Sequence, residues 1–244
     1  MTVKAQQQLT ARDIRCLVWI AQQYAIRIDQ LQRLLWRHTP EADRHKLKPG
    51  TTSLSLDRTY DLINKWLARG LIEKDIILHK DKLWIWCSRT GLRTLVELGE
   101  LSSLFNYGDG APASGRLRHL YAINEIRLAI EEKRPNDVWK SERQIRKEAS
   151  PLVKGETRSH VPDALLTNAN GKVTALEIER TSKTEDELLY DLRELAVTYK
   201  SILYFVTDST RRQIEAHLDT FSSEMRKPFV IYNLKEYSHD YGVS

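Results

Sequence analysis

The pattern of apolar and polar residues predicts four helices and one hairpin in the first 98 residues. Apolar side chains recur at helical spacing from Leu9 to Tyr24 and from Ile28 to His38. After a polar connection, the segment SLDRTYDLINKWLARG predicts a third helix that ends at Gly70. The next segment, LIEKDIILHKDKLWIWCS, predicts two strands joined by a charged tip at residues 79–82, and a last helix is expected at residues 90–98.

A second domain is predicted after residue 115. Residues 99–115, GELSSLFNYGDGAPASG, are rich in Gly, Ser and Pro and therefore predict a linker between domains at 1–98 and 116–244. In the second domain we expect helices at 116–133, 184–199 and 210–221, and strands at 138–147, 160–168, 173–180, 202–207 and 229–233. This order of elements predicts an α/β (α+β) fold with a mixed sheet.

Composition adds constraints on partners and location. The 244 residues include 38 Lys and Arg against 33 Asp and Glu, and the net charge of +5 favours a polyanionic partner without requiring one. Two cysteines form neither a disulfide framework nor a zinc site. No apolar run reaches the roughly 20 residues of a membrane span, and the polar start is unlike a signal peptide. We therefore expect a cytoplasmic protein without membrane insertion.

In the first domain, DRTYDLINKWLARGLIEK followed by the basic-tipped hairpin resembles the winged-helix family. The resemblance implies DNA binding, with the third helix in the major groove and the hairpin along the backbone. The alternatives are an ordinary solvated helix face or a protein–protein module. The side chains expected to reach base edges or phosphates are Arg58, Asn64, Lys65, Arg69, Lys80 and Lys82.

The stretch HVPDALLTNANGKVTALEIERTSK concentrates the acidic residues of interest in the second domain. Asp163 lies on one predicted strand, and Glu177 and Glu179 occupy alternate positions of the next, so these two point to the same face. Three crowded carboxylates repel one another unless a cation neutralises them, and hard oxygen ligands suit Mg²⁺ or Mn²⁺. Such an ion can polarise a phosphodiester and lower the pKa of a bound water. The alternative is an exposed acidic strand face, with Asp163 as a turn residue.

The dipeptide Pro-Asp at Asp163, followed by Glu177-Ile-Glu179 within this order of elements, resembles the PD-(D/E)XK nuclease superfamily. The resemblance implies a restriction-endonuclease-like domain that cleaves DNA with a metal ion. The sequence departs from that pattern because Glu179 stands where the superfamily usually carries lysine. Lys183, at the start of the next predicted helix, is expected to supply the displaced positive charge.

A longer set of segments, HLYAINEIRLAI, WKSERQIR, VPDALL and LEIERT, is similar to the replication-relaxation proteins, and more narrowly to the MOBC-family relaxases of mobilisable plasmids. In the metal site, this resemblance implies Asp163, Glu177 and Glu179 as ligands. It adds Glu125 and Glu142 as further acidic members, with His119 positioning DNA or a water. Solvent-facing charges and ordinary surface histidines, including His160 at the edge of the site, are the alternatives for these added residues.

Three functions follow from these resemblances. The first is a relaxase that nicks one strand of double-stranded DNA at a plasmid transfer origin during conjugative mobilisation, together with an accessory mobilisation protein and a coupling protein. The second is a non-catalytic DNA-binding regulator, or a plasmid replication or mobilisation accessory protein, whose nuclease domain is degenerate. The third is a restriction or repair nuclease. The chain carries no G-x-x-x-x-G-K-[ST] loop, so strand separation would need other proteins.

Overall fold

The computed structural model describes residues 9–44, 50–105, 110–149 and 160–237. Contacts within the chain divide it into two compact units, Met1–Gly115 and Arg116–Ser244. The fold is mixed α/β, with a three-stranded sheet and a five-stranded sheet. None of the helices in these ranges combines the length and the hydropathy that a membrane-spanning segment needs.

The first unit consists of helices around a small antiparallel sheet. Its elements are α1 (Ala11–Gln23), β1 (Ile26–Arg27), α2 (Ile28–His38), α3 (Glu41–Arg44), α4 (Leu56–Ala68), β2 (Ile72–Asp75), β3 (Trp84–Cys87) and α5 (Arg89–Glu97). The predicted helices and hairpin are confirmed. The sheet order is β1-β3-β2. The added strand, β1, is too short for its two residues to show a periodic pattern, so the sequence did not predict it.

Hydroxyl caps fix where the helices of the first unit begin. Ser55 accepts a hydrogen bond from the third residue of α4, and Ser88 does the same for Gly91 in α5. At Gly91, α5 packs directly on the chain before β2, because a Cβ added there would lie 1.9 Å from the carbonyl oxygen of Leu71. The buried Trp66 and Trp84 are among the largest side chains of the core.

The segment predicted as a linker packs on the first unit. Leu101 and Phe105 are buried, and residues Ser103–Phe105 form a short 3-10 turn. Its apolar side chains can leave water despite the surrounding Gly, Ser and Pro, so the composition alone overstated how irregular the segment is. Residues 106–109 of the predicted linker lie outside the described residues.

The second unit is a five-stranded mixed sheet with helices. Its elements are α6 (Leu117–Lys133), β4 (Val138–Ser141), α7 (Glu142–Glu148), β5 (Ala164–Thr167), β6 (Val173–Glu179), α8 (Glu185–Thr198), β7 (Ile202–Val206), α9 (Asp208–Asp219), α10 (Ser223–Arg226) and β8 (Phe229–Asn233). The strand order is β4-β5-β6-β7-β8. The pairs β4–β5 and β5–β6 are antiparallel, whereas β6–β7 and β7–β8 are parallel.

Two predicted strands are longer than the observed ones. The strand expected at 160–168 begins only at Ala164, so Asp163 lies in a bend before the strand, as in the turn alternative. The other is wrong in its second half. The expected strand at 138–147 ends at Ser141, where the chain turns into α7. Ser141 and Gln144 form a capping box, because the Ser141 hydroxyl accepts the Gln144 N–H and the Gln144 side chain accepts the Ser141 N–H. The short helix α10 was also not predicted.

The helix α8 covers one face of the central strands. Its buried residues Leu188, Leu192 and Leu195 share a hydrophobic cluster with Ala175 of β6 and Tyr204 of β7, among others. Because strand side chains alternate, the residues of β6 on this face also include Glu177 and Glu179. The acidic residues at the carboxyl end of β6 therefore lie directly beside this hydrophobic cluster.

Candidate functional site

The β5–β6 hairpin places Asp163 beside Glu177. Ala164 pairs with Leu176, so the residue before β5 lies opposite Glu177. The Asp163 N–H donates to Glu177 Oε2 at 3.3 Å, and Asp163 Oδ2 accepts the N–H of Ile178 at 2.8 Å. The sequence predicted this cross-strand meeting from alternation, and the geometry agrees with it.

The acidic residues of β6 are buried rather than exposed. Glu177 and Glu179 are 5% and 4% exposed, respectively. The alternative of an exposed acidic strand face is therefore wrong. Burial of two carboxylates is costly unless charge or hydrogen bonds compensate them, so their partners decide what the site can do.

Each of the three predicted carboxylates has a cationic side chain beside it. His119 Nε2, on α6, lies 2.9 Å from Asp163 Oδ1. His160 Nε2 lies 3.2 Å from Glu177 Oε2, and Lys183 Nζ lies 2.7 Å from Glu179 Oε2. The positive charge that the sequence predicted at Lys183 is thus next to the position where the nuclease pattern has its lysine.

A fourth acid, Asp191 on α8, joins two of these cations, and the sequence reasoning missed it. Asp191 Oδ1 lies 2.9 Å from His160 Nδ1, and Asp191 Oδ2 lies 2.9 Å from Lys183 Nζ. A signal was present, because this acid interrupts the stripe formed by Leu188, Leu192 and Leu195 on the buried side of α8. An acid in an apolar stripe indicates a buried polar partner.

Both histidines favour their charged form. The Asp163 carboxylate raises the pKa of His119 to about 9, with burial opposing. Burial lowers the pKa of His160, but the Asp191 and Glu177 carboxylates beside its ring outweigh that effect and raise the pKa to about 10. Both rings are therefore imidazolium ions at neutral pH.

The carboxylates differ in how readily they ionise. Burial, together with the neighbouring Asp163, raises the pKa of Glu177 to about 7. Burial also raises the pKa of Glu179 against the opposing effect of Lys183. For Asp163 and Asp191, burial is outweighed by cationic partners, chiefly the charge of His119 on Asp163 and the hydrogen bond from His160 to Asp191, and the pKa of each carboxyl is lowered. The negative charge of Glu177 is thus only partly neutralised by its neighbours.

The cluster gathers carboxylate oxygens, the type of donor that Mg²⁺ and Mn²⁺ prefer. Four carboxylates face three cationic side chains, which leaves one negative charge in excess when every group is ionised; the acids are Asp163, Glu177, Glu179 and Asp191, and the cations are His119, His160 and Lys183. The hydroxyl of Tyr204, buried on β7 beside Glu177, has no hydrogen-bond partner among the described residues. In the same ranges, no three His, Cys, Asp or Glu side chains form a recognisable metal site.

The two further acids that the sequence predicted, Glu142 and Glu125, lie in different surroundings. Glu142 borders the site, because its N–H donates to the carbonyl oxygen of Asp163 at 2.8 Å. Its carboxylate pairs with Arg116 at 3.0 Å and Arg146 at 2.7 Å. Glu125 is buried on α6, and a separation of six residues turns it about 120° around the helix from His119. The solvent-facing alternative is therefore wrong for Glu125.

In the first unit, the residues predicted to contact DNA are exposed. Arg58, Asn64 and Lys65 project from α4, whose opposite face is buried, and Arg69 caps its end. Lys80 and Lys82 are exposed on the hairpin, where Lys82 Nζ lies 3.6 Å from Asp29 Oδ2.

Ion pairs of the buried Arg27 side chain anchor this hairpin close to its charged tip. Arg27 of β1 contacts Asp29 at 2.7 Å and Asp81 at 3.4 Å, and the indole N–H of Trp84 donates to Asp81 at 2.8 Å. The hairpin with its two lysines is therefore fixed to the rest of the unit by charged hydrogen bonds.

Comparison with known proteins finds no matching family model, no significantly similar curated protein and no matching solved structure. From its own structure, the chain is a mixed α/β protein whose second unit has a buried acidic cluster at the end of a central strand.

Proposed function

We propose that this protein is a metal-dependent DNA-nicking enzyme. The observation that carries the proposal is the juxtaposition of Asp163 and Glu177 across the β5–β6 hairpin, with the Lys183 ammonium 2.7 Å from Glu179. Paired carboxylates with an adjacent lysine suit the cleavage of phosphodiesters, because a nuclease must hold a cation and stabilise charge that develops on phosphate oxygens.

Five residues of the cluster have a direct part in this proposal. Asp163 and Glu177 would hold Mg²⁺ or Mn²⁺, which supplies positive charge to the phosphodiester and lowers the pKa of a bound water. Glu179 holds the Lys183 ammonium, which stabilises negative charge on the cleaved strand. His119 orients Asp163 through its hydrogen bond.

The finer proposal is a relaxase that nicks one strand at a plasmid transfer origin. It rests on the resemblance of residues around His119, Asp163 and Glu177 to the MOBC-family relaxases. The first unit would bind DNA through the exposed face of α4 and the lysines of the hairpin. An accessory mobilisation protein and a coupling protein would be its partners in the cytoplasm.

A non-catalytic DNA-binding protein is the second candidate. The observation that favours it is that Asp163, Glu177 and Glu179 each have a cationic partner already, so the cluster is largely neutralised by its own side chains. In that case the carboxylates would stabilise the fold of the second unit, and divalent ions would not bind there.

A nicking assay separates the two candidates. Supercoiled plasmid that carries the cognate mobilisation region is incubated with the full chain and Mg²⁺ or Mn²⁺, and open circles are quantified. We expect metal-dependent nicking by the wild type and a loss of about 100-fold or more for Asp163→Asn and Glu177→Gln, since each removes a charge that the ion needs. Glu215→Gln, in a pair with Arg211 on α9, is the matched control and should nick normally.

Two further measurements complete the test. Calorimetric titration with Mn²⁺ should show binding by the wild type and the control but not by Asp163→Asn. Thermal unfolding of each variant shows whether it is folded. Wild-type protein that binds DNA but neither binds Mn²⁺ nor nicks would support the non-catalytic candidate instead.

A further inference from the structure

Two arginines share one carboxylate at the edge of the acidic cluster. Glu142 Oε2 lies 3.0 Å from Arg116, and Glu142 Oε1 lies 2.7 Å from Arg146. The arginine side chains are 64% and 46% exposed, whereas that of Glu142 is 23% exposed. The three charges sum to one positive charge, and both guanidinium groups keep donors directed to solvent.

This arginine pair adjoins the carboxylates of the site. The Glu142 N–H donates to the Asp163 carbonyl oxygen at 2.8 Å, which fixes the start of α7 against the start of β5. Arg116 precedes His119 by three residues at the beginning of α6, so the two side chains lie on the same side of that helix. His119 in turn contacts Asp163 at 2.9 Å. The exposed arginines are therefore connected to the buried Asp163 through Glu142 and through His119.

The other side of the cluster has the opposite charge. A cavity of about 530 Å³ lies beside α8, and its lining includes three acids and one lysine: Lys183, Asp186, Glu187, Tyr190 and Asp191. Lys183 is already paired with Glu179 and Asp191. The excess of acids disfavours a duplex that approaches from this side, so DNA reaches the cluster more favourably from the arginine side, with only the cleaved phosphate near Lys183.

We propose that Arg116 and Arg146 form a phosphate-binding site that holds the DNA backbone next to the cleaved bond. In this proposal, which rests on the proposed function, Glu142 is a positioning residue that holds both arginines and does not bind the metal. Planar guanidinium groups suit phosphate because they donate two parallel hydrogen bonds to its oxygens. The solvent-facing donors of both guanidinium groups bind the phosphate while Glu142 keeps its contacts to the two arginines.

Salt dependence of DNA binding tests this site without relying on catalysis. Binding of the full chain to a duplex from the mobilisation region is measured with EDTA between about 50 and 200 mM salt. Arg116→Ala and Arg146→Ala should each weaken binding by about three- to ten-fold and reduce the slope of log K against log salt by about 1. Arg211→Ala is the matched control, because Arg211 is also a partly exposed arginine in an i,i+4 pair, and its slope should be unchanged.

Glu142→Gln tests the part assigned to the carboxylate. This variant keeps both arginines and removes the negative charge, so the salt slope should equal the wild-type slope or become steeper. Nicking should fall by about three- to ten-fold, because both arginines lose the charged partner that positions them. A loss of nicking of about 100-fold with unchanged DNA binding would make Glu142 a catalytic acid and overturn the proposal.

The outcomes distinguish this proposal from the proposed function. If the wild type nicks DNA but both arginine variants keep the slope of the Arg211→Ala control, the phosphate site is wrong and the nuclease stands. If the slopes fall as expected and the wild type never nicks, the phosphate site stands and the nuclease is wrong. A full chain that does not bind DNA at all overturns both.

Discussion

Replacement of Asp191 by Asn is the change that most directly tests how the acidic cluster is held together. Asp191 contacts His160 Nδ1 and Lys183 Nζ, each at 2.9 Å, and these two cations in turn contact Glu177 and Glu179. Asn has nearly the same shape but no charge. One side-chain oxygen remains as an acceptor, and the second is replaced by an amide that repels a cation.

The structure sets the size of the expected effect. A hydrogen bond to a charged group contributes about 1.5–3 kcal/mol, and loss of one partner of a buried ion pair costs about 3–5 kcal/mol. Asp191 is half-buried and the Asn oxygen preserves one contact. We therefore expect the free energy of unfolding of the second unit to fall by about 2 kcal/mol. Displacement of Lys183 and His160 should reduce nicking by about 10- to 100-fold.

Thermal unfolding and plasmid nicking are measured side by side for Asp191→Asn and for Asp186→Asn. Asp186 lies on the same helix but is exposed, so it controls for the change in helix charge. Asp191→Glu, which keeps the charge on a longer side chain, should recover part of the activity. If Asp191→Asn is as stable and as active as Asp186→Asn, the bridge has no role in the cluster and the reasoning is refuted.

Two further predictions concern pH and packing. The pKa of His119 is raised to about 9 and that of His160 to about 10, so their stabilising effect is complete below their ordinary pKa near 6.5 and is lost as the pH rises through 9–10. The melting temperature of the metal-free protein should therefore fall between about pH 6.5 and pH 10, and a His160→Gln variant with the same fall would contradict this. Gly91→Ala would bring a Cβ within 1.9 Å of the Leu71 carbonyl oxygen and should cost about 3 kcal/mol in urea unfolding. Gly115→Ala, with open space around it, should be neutral, and equal stability of the two variants would refute the packing argument.

Local patterns predicted much of the fold and the centre of the site. Alternation along a strand has a period of two residues, so Glu177 and Glu179 had to share a face, and a short connection brought Asp163 opposite Glu177. The S-x-x-Q pattern at Ser141 is also a capping-box signal for the start of a helix, and it contradicts the second half of the strand predicted at 138–147. These features depend only on residues close in the sequence.

The partners of the carboxylates depend on tertiary packing and were harder to predict from the sequence. Asp191 lies 28 residues after Asp163, and its approach to His160 follows from how α8 docks on the sheet. The arginine pairing of Glu142 likewise requires α6 and α7 to meet, since Arg116 and Glu142 belong to different elements. The residue pattern within a single segment cannot predict such contacts between elements.

The two kinds of pairing made by β6 have a consequence for the order of folding. β6 joins β5 through the short connection at 168–172, but it reaches β7 only after the chain has passed through α8. The hairpin is thus the kinetically accessible part, because short loops close faster than crossovers. On its own, however, the hairpin would bring Asp163 and Glu177 together without His119 or Lys183. An early hairpin would therefore place two carboxylates side by side before the docking of α6 and of the segment at Lys183 supplies the opposite charges.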